Sequence, residues 1–214
     1  MSDTSSAEKT AIEHLRIIRT LMERAHIYRA VSAPAALVGG ILALTVSSLG
    51  YYHHDDDASA TKFLCAWLLI LVVCTVLNLF LLIRESKGQH QPFLTDGLRM
   101  ALRAVIPPLT VGGFLGICLI IFKKDLALAA LIWILCYGLA LLSTSSFAPK
   151  SVTRLGGCFL VSGIALTVSW FMNGGTFAGQ SSLSLASLFL GLTFGAGHIA
   201  YSLAVFFNTP KTSR

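Results

Sequence analysis

Long apolar runs separated by short polar gaps dominate the chain. Six of them can be delimited by their charged borders: Ala30 to Leu49, Phe63 to Ile83, Ala104 to Phe122, Leu126 to Phe147, Leu155 to Met172 and Leu183 to Phe207. A helix needs about twenty apolar residues to cross the hydrocarbon of a bilayer, and each run is of that order. No Asp, Glu, Lys or Arg lies inside any run. The pattern predicts an all-α membrane protein, a bundle of six transmembrane helices filling residues 30–207. Residues 208–214 form a short tail beyond it. Pro34 and the pair Pro107-Pro108 are expected in the first turns of the first and third helices, where a missing N–H costs little. Ser143 to Ser146 and Gly156-Gly157 dilute the apolar signal and leave the ends of the fourth and fifth runs least defined.

Ahead of the first run, Ala7 to Arg29 shows a different period. Ile12, Leu15, Ile18, Leu21 and Met22 recur at three- and four-residue steps, with Glu13, Arg16, Arg19, Glu23 and Arg24 set mostly away from them. Residues 1–29 therefore read as a cytoplasmic amphipathic helix. It either lies in the interface or docks a protein partner, or it simply extends the first spanning helix into solvent. The first apolar run is too long for a signal-peptide core, so it is expected to stay in the mature protein.

Composition agrees: 55% of the residues are hydrophobic and 12% charged, where a globular domain is about a quarter charged. Mean hydropathy is +0.74. The net charge of +6 would suggest nucleic acid in a soluble protein. Here the cations sit in the gaps between runs, where anionic lipid and topology account for them, and nucleic acid is not expected as a partner. With the N-terminus inside, Lys9, Arg16, Arg19, Arg24, Arg29, Arg84, Lys87, Arg99, Arg103, Lys150, Arg154, Lys211 and Arg214 are cytoplasmic. Only Lys62, Lys123 and Lys124 are then outside. The expected location is a bacterial inner membrane with both termini in the cytoplasm. All five cysteines lie in apolar runs without metal or redox spacing, and read as small hydrophobes.

Candidate chemistry is sparse. Within the runs His198 is the one titratable group besides Tyr137, Tyr201 and the thiols. No relay of buried carboxylates and no nucleophile-base pair is visible, which argues against ion-coupled transport and against catalysis. No catalytic residue, metal site or cofactor is assigned. His198 reads first as a polar contact to a neighbouring helix; ligation of a heme iron or a metal would need a second ligand, for which Asn78 is a poor choice. The candidate functional residues in the membrane are thus His198, Asn78, Tyr137 and Tyr201. The stretch Tyr51-Tyr52-His53-His54-Asp55-Asp56-Asp57 offers metal-ligating side chains, but adjacent ligands on a loop seldom close a coordination shell. Gly39-Gly40, Gly112-Gly113, Gly156-Gly157 and Gly195-Ala196-Gly197 read as helix-packing sites rather than phosphate cradles.

An echo runs through the chain. Arg29-Ala30-Val31 with Pro34 and Gly39-Gly40 returns as Arg103-Ala104-Val105 with Pro108 and Gly112-Gly113, and a fainter copy begins at Arg154. It implies three hairpin repeats about an axis along the membrane normal, unless a short apolar alphabet produces it by chance.

The segments Leu15-Arg16-Ile17-Ile18-Arg19, Met22-Glu23-Arg24-Ala25, Ala33 to Gly40, Cys136 to Leu141, Ser146-Phe147-Ala148 and Phe194-Gly195-Ala196-Gly197-His198 with Tyr201 are similar to a family of uncharacterised bacterial six-helix membrane proteins. Those are often encoded near winged-helix regulators. The resemblance implies a location, an architecture and a regulatory or stress-response role. Two functions are weighed above the rest: a non-enzymatic membrane-embedded binding or regulatory partner, and a small transporter or channel for an uncharged or hydrophobic solute. A homo-oligomer is compatible with either.

Overall fold

The computed structural model describes residues 33–52, 59–88, 96–146, 148–175, 177 and 179–207. The amphipathic helix expected over Ala7 to Arg29, the ligand-rich loop at His53 to Asp57 and the tail at 208–214 lie outside them. Six helices and no strand are present among the described residues: α1 Ala33–Tyr52, α2 Ser59–Gly88, α3 Asp96–Cys118, α4 Leu126–Leu142, α5 Lys150–Met172 and α6 Ser182–Phe207. α3 ends in a π-helical turn, Leu119–Lys123, and α6 carries another at Gly191–Ala196. Five of the six are long and apolar enough to cross a membrane, and α4 has 17 residues. That is roughly 26 Å of helix, a little under the ~30 Å hydrocarbon layer.

α4 is the centre of the bundle and packs against α3, α5 and α6. Ala129, Ala130 and Ile134 are wholly shielded, with Leu131 beside them. Small side chains on this face let the neighbours approach closely. A Cβ on Gly138 would stand 2.8 Å from Leu160 N and 3.1 Å from Gly156 O, so α4 and α5 cross with backbones in contact. On the outside the sense is reversed: Leu69, Val72, Val76 and Phe80 of α2 are each more than half exposed. A continuous outward band of this kind requires a nonaqueous surrounding.

The helices alternate in direction, as their contacts show. Ser202 Oγ donates to Ala33 O at one end of the α1–α6 pair, and Ser184 Oγ donates to Tyr51 O at the other. α4 and α6 run parallel, joined at their starts. Ser182 Oγ accepts from Leu126 N (3.0 Å) and Ala127 N (3.1 Å), and Asp125 Oδ1 accepts from Leu128 N (2.9 Å). Ala129 N reaches Asp125 O. The four N–H groups that open α4 are all satisfied, two of them by another helix. One end of the bundle thereby gathers Arg84, Lys87, Arg99, Arg103, Lys150 and Arg154, and the opposite end Lys62, Lys123 and Lys124.

Two expectations need correction. Pro107-Pro108 are not in the first turn of the third helix but inside it, because α3 starts at Asp96 and takes in Arg99 and Arg103. Pro108 has no N–H for Ala104 O, and the hydroxyl of Ser143, the residue that caps the end of α4, donates to that oxygen instead at 2.9 Å. The fourth helix also ends earlier than its apolar run. The Ser143 hydroxyl shares its one hydrogen between Ala104 O and Ala140 O, Thr144 Oγ1 donates back to Leu141 O, and the chain leaves the helix there.

Two of the glycine pairs split, while Gly39-Gly40 packs through both members, Gly40 against Ile199 and Gly195 O of α6. Cβ atoms on Gly39 and Gly112 would collide with Cys74 and Cys136, each on the following helix, whereas Gly113 and Gly157 face open space. Gly156 meets the preceding helix instead. The first two hairpins thus share a packing relation that the third lacks.

Candidate functional site

Four aromatic helix positions build the site. Tyr137 of α4, Phe159 of α5 and Phe194 and His198 of α6 form one cluster, with Tyr137 ring centroids 4.8 Å from both Phe159 and Phe194. His198 stacks on Phe194, at 5.8 Å and 14° between planes, and meets Phe159 edge-on at 5.4 Å. Trp67 of α2 touches Phe194 from the far side at 6.1 Å.

The local helix geometry brings His198 there. Gly191 and Gly195 have no Cβ to oppose α1: one on Gly195 would lie 2.6 Å from a Leu44 methyl, and one on Gly191 2.9 Å from Ser47 Cβ. Thr193 Oγ1 binds Phe189 O at 2.7 Å and competes with the helix ladder. The π-helical turn Gly191–Ala196 forms at this point, directly ahead of His198, the kind of interruption often found beside functional positions.

His198 is held at both ring nitrogens. Nδ1 lies 2.8 Å from Phe194 O, and a carbonyl has no proton to give, so Nδ1–H is the donor. In the neutral ring Nε2 is then the acceptor, and the Tyr137 phenol, 2.8 Å away, donates to it. The hydroxyl, the imidazole and the backbone carbonyl form a single chain of hydrogen bonds across the α4–α6 interface.

A cavity of about 290 Å³ adjoins this chain, bounded by α1, α2, α4, α5 and α6. Asn78, Tyr137, His198 and Tyr201, the four polar residues singled out in the sequence, all line it. The remaining wall is apolar, from Ala36 and Ala43 to Trp67, Ile70 and Leu71. Asn78 spends one amide hydrogen on Cys74 O at 3.0 Å within its own helix, leaving its carbonyl oxygen as an acceptor. Sequence reasoning missed Phe159, Phe194 and Trp67. Phe194 stands four residues before His198, one helical turn, and that spacing could have flagged it. Among the described residues no three His, Cys, Asp or Glu side chains come together as a metal cluster.

By fold the chain is an all-α, multi-pass membrane bundle with a mostly apolar cavity between its helices, open at the exposed Leu71 and Asn78 of α2. Comparison with protein-family models, with curated proteins and with solved structures found no match to it.

Proposed function

We propose that this protein is a membrane-embedded binding protein of a bacterial inner membrane, with both termini in the cytoplasm. It takes up a small, uncharged, largely apolar molecule and acts as a sensing or regulatory partner rather than an enzyme. The observation that carries this reading is the convergence of Asn78, Tyr137, His198 and Tyr201, from three helices, on one cavity. Apolar walls with a few convergent polar groups are the usual makeup of a small-molecule site. The cavity is small, so the ligand is of the size of a substituted ring. The concentration of cations at one end of the bundle supports the orientation.

Trp67 lines the cavity and reports on occupancy. With Trp133 and Trp170 replaced by Phe, 4-bromophenol, apolar with one hydroxyl, should quench Trp67 fluorescence saturably in the detergent-solubilised protein, and Ala36→Leu, which narrows the cavity, should weaken the saturable part. Quenching that is linear and equal in both proteins, as simple partitioning would give, overturns the binding reading. Saturable uptake of the same probe into proteoliposomes would favour a transporter instead.

A further inference from the structure

A second, larger concavity lies between α5 and α6, outside the cavity described above. Its volume is about 830 Å³, within the ~300 to 1,000 Å³ typical of ligand sites. Cys158, Ala165 and Leu192 at its rim are exposed on the outer surface of the bundle, so the groove opens sideways towards the bilayer. Its floor is apolar, including Leu155, Phe159 and Leu166.

The polar end of the groove is built differently. Lys150 and Arg154 both line it, one helical turn apart on the same face of α5, and both are exposed. The first turn of α5 holds no acidic residue, so nothing there offsets the two cations or the positive end of the helix. Neither cation has an ion-pair partner among the described residues. Between them Ser151 also lines the groove, and its Oγ is shielded from solvent with no hydrogen-bond partner. A buried hydroxyl without a partner is costly, and this one is free to donate to an acceptor brought into the groove.

We propose that this groove binds an anionic phospholipid, with the phosphate at Lys150, Ser151 and Arg154 and an acyl chain along the floor. A basic pocket between spanning helices, apolar below and cationic at the headgroup level, has the complementary chemistry. The proposal does not rest on the Tyr137–His198 cavity, although Leu155 and Tyr201 line both spaces and form a common wall.

The test uses the full chain in a neutral detergent, titrated with phosphatidylglycerol or with phosphatidylcholine of identical acyl chains, read by thermal unfolding and by lipid-bound masses in native mass spectrometry. Phosphatidylglycerol should bind saturably and more tightly. Lys150→Gln with Arg154→Gln should weaken it by about tenfold or more while leaving phosphatidylcholine unchanged. Lys150→Arg with Arg154→Lys, which keeps both charges, should retain most of the preference. Ala165→Phe, at an exposed groove position, should weaken retention of the chain without touching the cations. Equal binding of the two lipids, or a phosphatidylglycerol preference that survives loss of both charges, overturns the proposal. So does a stabilisation by inorganic phosphate alone that matches the lipid, because the site would then be one for a free anion.

Discussion

Tyr137 Oη and His198 Nε2 lie 2.8 Å apart, joining α4 to α6 in the middle of an aromatic cluster. Removing either partner strands the other. His198→Leu leaves the Tyr137 hydroxyl and Phe194 O without their imidazole, and Tyr137→Phe leaves Nε2 unpaired; each should cost about 1 to 3 kcal/mol. His198→Gln keeps a donor and an acceptor and should be milder than Leu. In the double variant Tyr137→Phe/His198→Leu the loss should fall short of the sum, because the Tyr137–His198 bond loses both partners at once and only Phe194 O is left without its imidazole donor. Thermal unfolding in detergent measures all four. Strict additivity would show that the 2.8 Å contact contributes nothing of its own.

Ser182 serves α4 rather than only its own helix. Its hydroxyl accepts from two N–H groups at the α4 start, so Ser182→Ala should destabilise by about 1 to 2 kcal/mol, the usual range for a lost helix cap. Ser181→Ala, which removes the acceptor for Ser184 N in α6, gives a comparison for a cap within one helix. A Ser182→Ala protein as stable as wild type would mean that water takes over both donors.

The glycine pairs supply an internal control. Gly156→Leu places its side chain against Gly138 O and Leu142 N of α4, backbone atoms that cannot swing aside, and should prevent folding or lower yield severely. Gly157→Leu, the neighbouring residue, meets nothing within 4 Å and should be tolerated. The same contrast is expected between Gly112 and Gly113. The readout is the monodisperse fraction after solubilisation.

What the sequence made legible follows from these contacts. The helical spans were readable because a bilayer forces the backbone to satisfy itself within each segment, which leaves long uncharged runs. His198, Tyr137, Asn78 and Tyr201 stood out as polar side chains in such runs. That they share a cavity was not readable, since it depends on which faces of α2, α4 and α6 meet. Gly156-Gly157 looked like one packing site, yet only Gly156 packs, because adjacent residues on a helix point about 100° apart. Pro107-Pro108 misled for a related reason: the apolar run began at Ala104, while the helix takes in the charged turn before it, and its compensation comes from another helix.

For the orientation, Lys87→Cys and Lys123→Cys in a background lacking the five native cysteines should be labelled from opposite faces. An impermeant maleimide added to intact cells should reach Cys at 123 and not at 87. Reaction of both from the same side would remove the proposed topology, since the two positions lie at opposite ends of antiparallel neighbours.

The last prediction concerns Ser143 and Pro108, which are coupled through one carbonyl, Ala104 O. Within a regular helix the N–H of residue 108 would serve Ala104 O; proline has none, and Ser143 Oγ lies 2.9 Å from that oxygen and 2.7 Å from Ala140 O. Ser143→Ala should therefore leave Ala104 O without its donor and cost about 1 kcal/mol. Pro108→Ala restores the N–H from within α3, and in that background the loss of Ser143 should become close to neutral. The sign of the cycle is what matters: the two changes together must be more stable than the sum of their separate effects. Unfolding midpoints of the two single variants and the double variant decide it. If Ser143→Ala costs as much with alanine at 108 as with proline, the hydroxyl acts through Ala140 O alone, and the α3–α4 contact is packing without a hydrogen bond.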